Sequence, residues 1–319
     1  MRLRFTCLFA VVGSLAYGQL GSVAGPSAGY VFDPAAQMVR QIRGIAGAAT
    51  LGDPVDFGMT VAGAKISPRG DVAVVSADDG SAHLFRIANG AARELTTVRL
   101  GAVPTVAFFS PGGTAVALYR SDGVQVLRGL PDAPEVAFTA SIRTQLFQPA
   151  TSAVRLGPVP GGTLAVSDDA TVLLHCRAGS VAVITAAGAR KLADTKGPAA
   201  IALAPQSHDV AVVTGGTLSV YKDVTGASTR QDFPNASAVA GVAFSVDGSK
   251  VLMAGLRAVT VLEQATGDTR QVACDCRIGG LSPMGAMFRL NEAGDGPVWL
   301  VDASGADPRL VFVPARVGE

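Results

Sequence analysis

Charge is scarce in this 319-residue chain. Only 16% of residues are Asp, Glu, Lys or Arg, and 26 basic residues face 25 acidic ones. A chain this close to neutral has no field with which to clamp nucleic acid or hold an anionic membrane surface. Aromatics make up 6%, with Trp299 the one tryptophan, which weakens the case for a sugar-stacking surface. His83, His175 and His208 are the three histidines. They fall at unlike points of the pattern described below, so their spacing gathers no metal triad. The four cysteines exclude a disulfide-stapled miniature fold, and at this length none is needed to build a core. No Gly-Lys-Ser/Thr phosphate loop is present, no Gly-x-Ser-x-Gly elbow or dinucleotide fingerprint occurs in a strand–helix context, and there is no calcium loop with alternating acids. The sequence therefore points to no catalytic residue, metal ligand or cofactor.

The N-terminus has the three parts of an export signal. Met1 to Arg4 is basic, Phe5 to Tyr17 is uncharged and mostly apolar, and Ala16-Tyr17-Gly18 supplies small residues before a cut at Gln19. A second cut could follow Ala24. The apolar stretch is shorter than the roughly 20 residues of a membrane span, and Cys7 lies inside it as filler. The expected division is a signal over residues 1–18 and one domain over residues 19–319, secreted or periplasmic and without a membrane span. Losing Arg2 and Arg4 with the signal turns a formal charge of +1 into −1.

What the chain does have is glycine, 38 of them, with 18 prolines. So much punctuation suits turns and is a poor recipe for long helices. The punctuation is periodic. Val259 to Val272 reads as strand, turn at Gly267, strand. The same layout recurs around Gly226, Gly305, Gly90 and Gly188, more weakly near Asp132, and in Tyr30 to Ile42 with Gln37 in the glycine slot. The mean interval between these turns is about 45 residues, the size of a four-stranded propeller blade. Asp33-Pro34 could also start a short helix closed by Gly44; the layout shared with five other segments favours the hairpin. Upstream of most hairpins lies a second unit of strand, Pro-Gly turn and strand, as in Val106 to Leu118, Val242 to Met253, Ile201 to Val213 and Ala64 to Val75. The full repeat is strand a, turn, strand b, loop, strand c, glycine turn, strand d.

The expected fold is all-β, a propeller of four-stranded antiparallel blades. Six full copies and an N-terminal c–d pair predict seven blades, the first short or irregular, with six as the alternative. The segment Val106 to Leu127, with Phe-Phe-Ser-Pro-Gly-Gly and Ser121-Asp-Gly-Val-Gln-Val-Leu127, resembles the YVTN/WD40-like propeller superfamily. So do Phe244-Ser-Val-Asp-Gly248 and Val261 to Gly267. The resemblance extends over nearly all the chain after the signal. It departs from true WD40 repeats, since no Trp-Asp dipeptide ends strand c and no Gly-His pair opens the blades. It implies a fold, and this fold carries many functions.

Four further features bear on function. Arg40, Arg93, Arg190, Arg230, Arg270 and Arg309 follow their turns on strand d, where charge protects an outer edge; a basic belt for an anionic polymer is the competing reading. Asp78-Asp79 and Asp168-Asp169 look like paired carboxylates placed at b–c turns, with Asp122 and Asp295 in similar places, and Asp belongs in such turns. Two long intervals, holding residues 45–61 and 143–154, are the first places to look for a binding loop. Cys274-Asp275-Cys276 ends a strand d. Residues i and i+2 on a straight strand are near the limit for bridging, and a bend would permit it; a disulfide, free thiols, and redox or metal work are all open to the pair. The expectation is a monomeric, non-enzymatic binding scaffold for a protein or envelope partner. The alternative is an enzyme such as a lactonase-like hydrolase, which the resemblance admits, with its site at the channel mouth.

Overall fold

The computed structural model describes residues 26–315 apart from 99, 101–103, 105, 121–122, 142–163, 178, 198, 235, 237–239 and 295. The described residues form 27 strands and no helix, arranged as a seven-bladed β-propeller. Blade 1 has β1 (Ser27–Asp33), β2 (Met38–Ile45) and β3 (Ala48–Pro54). Blade 2 has β4 (Val61–Ile66), β5 (Val72–Ala77), β6 (Ala82–Ala88) and β7 (Ala91–Glu94). Blade 3 has β8 (Val106–Phe109), β9 (Val116–Arg120), β10 (Gly123–Arg128) and β11 (Glu135–Ala140). Blade 4 has β12 (Leu164–Val166), β13 (Leu173–Arg177), β14 (Ser180–Thr185) and β15 (Gly188–Asp194). Blade 5 has β16 (Ala199–Leu203), β17 (Val210–Thr214), β18 (Thr217–Lys222) and β19 (Thr229–Pro234). Blade 6 has β20 (Gly241–Phe244), β21 (Lys250–Ala254), β22 (Ala258–Glu263) and β23 (Thr269–Ala273). Blade 7 has β24 (Ser282–Met284), β25 (Met287–Arg289), β26 (Val298–Asp302) and β27 (Arg309–Val313). Every pairing is antiparallel between consecutive strands.

Burial explains the strand patterns. The second strand of a blade is covered on both faces by its neighbours, so it reads as an unbroken apolar run. β5, Val-Ala-Val-Val-Ser-Ala, is buried at every position, and β17 and β21 at all but one. The outermost strands β15, β19 and β23 are exposed along most of their length. The core is accordingly seven clusters, each lying between adjacent blades. Phe32, Val39, Val75 and Phe85 fill the seam between blades 1 and 2. Val72, Leu84, Leu118 and Leu127 fill the next. The seventh closes the ring, packing Val31, Ile42 and Ala49 of blade 1 against Met284, Val298 and Leu300 of blade 7. Among the described residues no strand of one chain end joins the sheet of the other. Among the described residues that seam is held by side-chain packing, and one backbone hydrogen bond spans it from blade 7 to blade 2.

Blade 1 differs from the expected c–d pair. Its third strand, β3, falls inside the first long interval, and Val55 and Phe57 just beyond it are buried in the seam with blade 2. That interval is thus structural. β3 escapes notice because Ala48-Ala-Thr-Leu-Gly-Asp-Pro54 is poor in β-branched and aromatic residues. The hairpin before it matches expectation, and Gln37 takes the left-handed φ of +52° that its glycine slot required. Over blade 1 the turns of its two neighbours meet directly, with Gly285 N donating to Pro68 O at 2.7 Å.

A recurring serine builds the a–b turns. Ser67, Ser110, Ser167 and Ser245 are buried at the last position of the apolar run. In each, the hydroxyl oxygen accepts the amide N–H five residues on, at 2.9–3.1 Å. The hydroxyl replaces water as partner for a donor the narrow turn would otherwise bury. This is the physical content of the Ser-Pro-Gly pattern in the sequence.

Candidate functional site

Because the strands alternate in direction, the a–b and c–d turns share one face of the ring. Polar links there tie several blades to their neighbours. Arg69 donates to the Leu130 carbonyl at 3.2 Å, Arg86 pairs with Asp132 at 2.8 Å, and Lys250 donates to the Ala303 carbonyl at 3.0 Å. Asp168 makes the most elaborate of these links. It lies in the a–b turn between β12 and β13, one strand earlier than the b–c position expected of it. Its Oδ1 accepts Gly112 N of blade 3 at 2.7 Å, and its Oδ2 accepts Gln206 N of blade 5 at 2.8 Å. Its own carbonyl accepts the Thr114 hydroxyl at 2.6 Å. One carboxylate thus pins three neighbouring turns. Gly112 is required there, because a Cβ would sit 2.8–2.9 Å from the two carboxylate oxygens.

Its neighbour Asp169 is tuned differently. Burial pushes its carboxyl upward, but hydrogen bonds from Ser167 and Thr171 and the charge of His208 outweigh it and hold the group at about 2. Asp247 and Asp302 are lowered as well, by bonds from turn serines acting against desolvation. A depressed folded pKa contributes stability above the unfolded value near 4, and that stability is lost as pH falls through the folded value. The urea midpoint is therefore expected to fall between about pH 4 and pH 2, and less steeply in Asp169→Asn. Parallel acid limbs in wild type and variant would remove Asp169 from this account. Asp78 and Asp79 do occupy a b–c turn, where Asp79 accepts the Ser81 amide at 2.8 Å. Asp122 and Asp295 lie outside the described residues.

The histidines stay apart, in blades 2, 4 and 5. His83 bonds Ser81 and Glu94, both at 2.6 Å, His175 is buried in β13, and His208 meets Asp169 at 3.0 Å. No group of three His, Cys, Asp or Glu that could hold a metal ion occurs among the described residues. Five of the six strand-d arginines lie on outer strands; Arg40 instead lies on the middle strand of blade 1, covered by β3. Four of these five edge arginines are locally engaged, Arg190 through the Val224 carbonyl. Arg309 pairs with Asp302 at 3.0 Å, Arg230 with Asp232 at 2.7 Å, and Arg270 with Asp307. That engagement disfavours a continuous basic belt. Cys274 and Cys276 are joined in a disulfide where the chain bends out of β23, their Cα atoms 5.0 Å apart. Cys176 is a buried free thiol whose pKa burial raises, which makes it a packing group. The signal segment and the second long interval, residues 143–154, fall outside the described residues. No helix among the described residues is long and apolar enough to cross a membrane.

A cavity of about 220 Å³ occupies the central channel, walled by the inner strands of blades 2 to 6 and the segment entering blade 7. The side chains of its wall are apolar apart from Ser282 and Lys65 on β4, and Lys65 is its only titratable side chain among the described residues. Lys65 also borders an adjoining cavity of about 30 Å³ beside Arg289. Burial lowers its pKa most, the Arg289 charge lowers it further, and Glu292 opposes both. Lys65 keeps some accessible surface. We attribute its strong desolvation to that surface opening on the cavity. Arg289 is satisfied, bonding both Glu292 oxygens at 2.8 and 3.0 Å; Lys65 has no hydrogen bond or ion pair to any described residue. Sequence reasoning passed over Lys65, yet a signal existed. Two positions before the turn residue, the other copies carry Phe108, Ala165, Ala202 and Ala243, and all four line the same cavity.

The fold and site define a seven-bladed propeller with an apolar central cavity and one unpaired amine. No family model matches the chain, and no curated protein matches it. It is similar in structure to a functionally unknown protein from Desulfotomaculum acetoxidans DSM 771, with a TM-score of 0.56 at 11% identity, covering 90% of this chain and 99% of that one. At that identity the likeness shows the fold alone.

Proposed function

We propose that this chain is an exported, non-enzymatic binding propeller that takes a small ligand into its central channel. The observation that carries the reading is the cavity of about 220 Å³, whose apolar wall suits holding a ligand. Export rests on the N-terminal signal pattern, and the resemblance to YVTN/WD40-like propellers supports the repeat fold. Ala165 is half-buried in the cavity wall, so Ala165→Phe should occlude the site. A panel of small apolar compounds followed by thermal shift tests this. A ligand at 100 times its Kd should stabilise wild type by roughly 2.7 kcal/mol, and the shift should vanish in Ala165→Phe. An undiminished shift in a folded Ala165→Phe would put the ligand elsewhere.

A second reading, a scaffold for a protein or envelope partner, has its own observation. Trp299 on β26 and Phe312 on β27 pack with ring centroids 5.4 Å apart, and Phe312 is 52% exposed. A rim aromatic that is exposed and backed by a second, partly buried ring is suited to anchor a partner. Phe312→Ser abolishing capture of an envelope component, with channel binding intact, would favour it.

A further inference from the structure

We infer that the channel's ligand is a small amphipathic carboxylate, its anionic head at Lys65 and its apolar chain along the inner strands. The inference rests on the channel-binding reading above and names the ligand that reading leaves open.

Three observations converge. Size comes first: an apolar cavity of about 150 Å³ admits benzene, so one of about 220 Å³ has room for roughly eight to ten non-hydrogen atoms. The second is the wall. Phe108, Phe109, Ala165, Ala202 and Ala243 present apolar surface with no other charge among the described residues, which suits a hydrocarbon chain and is hostile to a polar one. The third is the unpaired amine. An ammonium held in a dense apolar wall is normally paired. Arg289 next to it has its own carboxylate in Glu292, with both oxygens engaged. Lys65, Arg289 and Glu292 together therefore carry one uncompensated positive charge, and it faces the cavity. One carboxylate balances it, and a dianion would leave an excess negative charge in the same wall. Burial and the Arg289 charge both push Lys65 toward its neutral form; a bound carboxylate would push it back, so binding an anion and keeping the amine charged support each other.

The position within the repeat strengthens the case. Four copies put Phe108, Ala165, Ala202 and Ala243 at the place that Lys65 takes in blade 2. A lysine adds nothing to seam packing that these residues do not supply, and it costs desolvation. It also lies beside the short blade 1, where the smaller cavity opens next to Arg289. The positive end of the channel is thus fixed at blades 2 and 7, and the chain of the ligand runs away from it toward blades 3 to 6.

The test is calorimetric titration of the full chain with octanoate, 1-octanol and octylammonium, in wild type and Lys65→Met. Octanoate should bind wild type at least tenfold more tightly than 1-octanol, and octylammonium should not bind. Lys65→Met should lose that tenfold advantage while 1-octanol binding stays. If octanoate and 1-octanol bind wild type equally, the carboxylate inference falls and the channel reading stands. If neither binds, both fall. Should Lys65→Met fail to fold, the wild-type ratio of octanoate to 1-octanol decides alone. Octanoate binding unchanged in a folded Lys65→Met would overturn the assignment of Lys65.

Discussion

Leu300→Ala should lower the unfolding free energy by about 2–5 kcal/mol, the usual cost of truncating a fully buried leucine. In a domain of this size that is a fall in Tm of roughly 5–15 °C. Leu300 is 1% exposed on β26 and lies in the cluster that closes the ring between blades 7 and 1. The other six seams are crossed by the chain passing from one blade to the next; this one is held by side chains. A cavity here should therefore let blade 7 loosen ahead of the rest. Trp299, the only tryptophan, sits in the same strand and reports that event. Its fluorescence transition in urea should precede the far-UV circular dichroism transition in Leu300→Ala. In Leu118→Ala, which damages the seam between blades 2 and 3, the two should coincide. Coincident transitions in both variants would show that the closing seam is no weaker than the others.

Asp168→Ala should cost about 2–4 kcal/mol, because two backbone amides from two other blades lose an ionised acceptor together. Asp168→Asn should cost nearly as much. Its amide nitrogen cannot accept, so one of the two N–H groups would face a second donor. Asp78→Ala, a change of the same kind in an exposed b–c turn, should stay within about 0.5 kcal/mol. Urea midpoints of the three variants separate a turn residue from a staple. Equal, small effects would mean that water replaces the Asp168 contacts at no cost.

These two aspartates show where the sequence was legible and where it was not. Strand order, turn positions and the count of seven were open to reading because each is local: a buried Val-Ala-Val-Val run, a Ser-Pro-Gly turn, a glycine or Gln37 at positive φ. Such features repeat, and repetition multiplies a weak signal. The third strand of blade 1 was missed because Ala, Gly and Asp carry no strand signature, and its place is set by packing against blade 7. Asp168 was read as one half of an acidic pair in an ordinary turn. Its partners, Gly112 and Gln206, are 56 and 38 residues away, and only the closed ring brings their turns to it. Lys65 was hidden in the opposite way. Its strand was recognised, but a single lysine in an apolar run reads as an exposed position until the ring shows that the strand faces an enclosed channel.

Each blade of this propeller is one unbroken stretch of chain, and no strand is shared between the first and last blades among the described residues. A ring of that kind is assembled from interchangeable segments. Copying one segment in frame would add a blade without asking any other strand to change partners, and deleting one would remove a blade as cleanly. What must adapt is the pair of seams at the insertion and the diameter of the channel. Blade 1, with three strands among the described residues and its neighbours' turns joined across it, shows how far one unit can depart from the repeat while the ring stays closed.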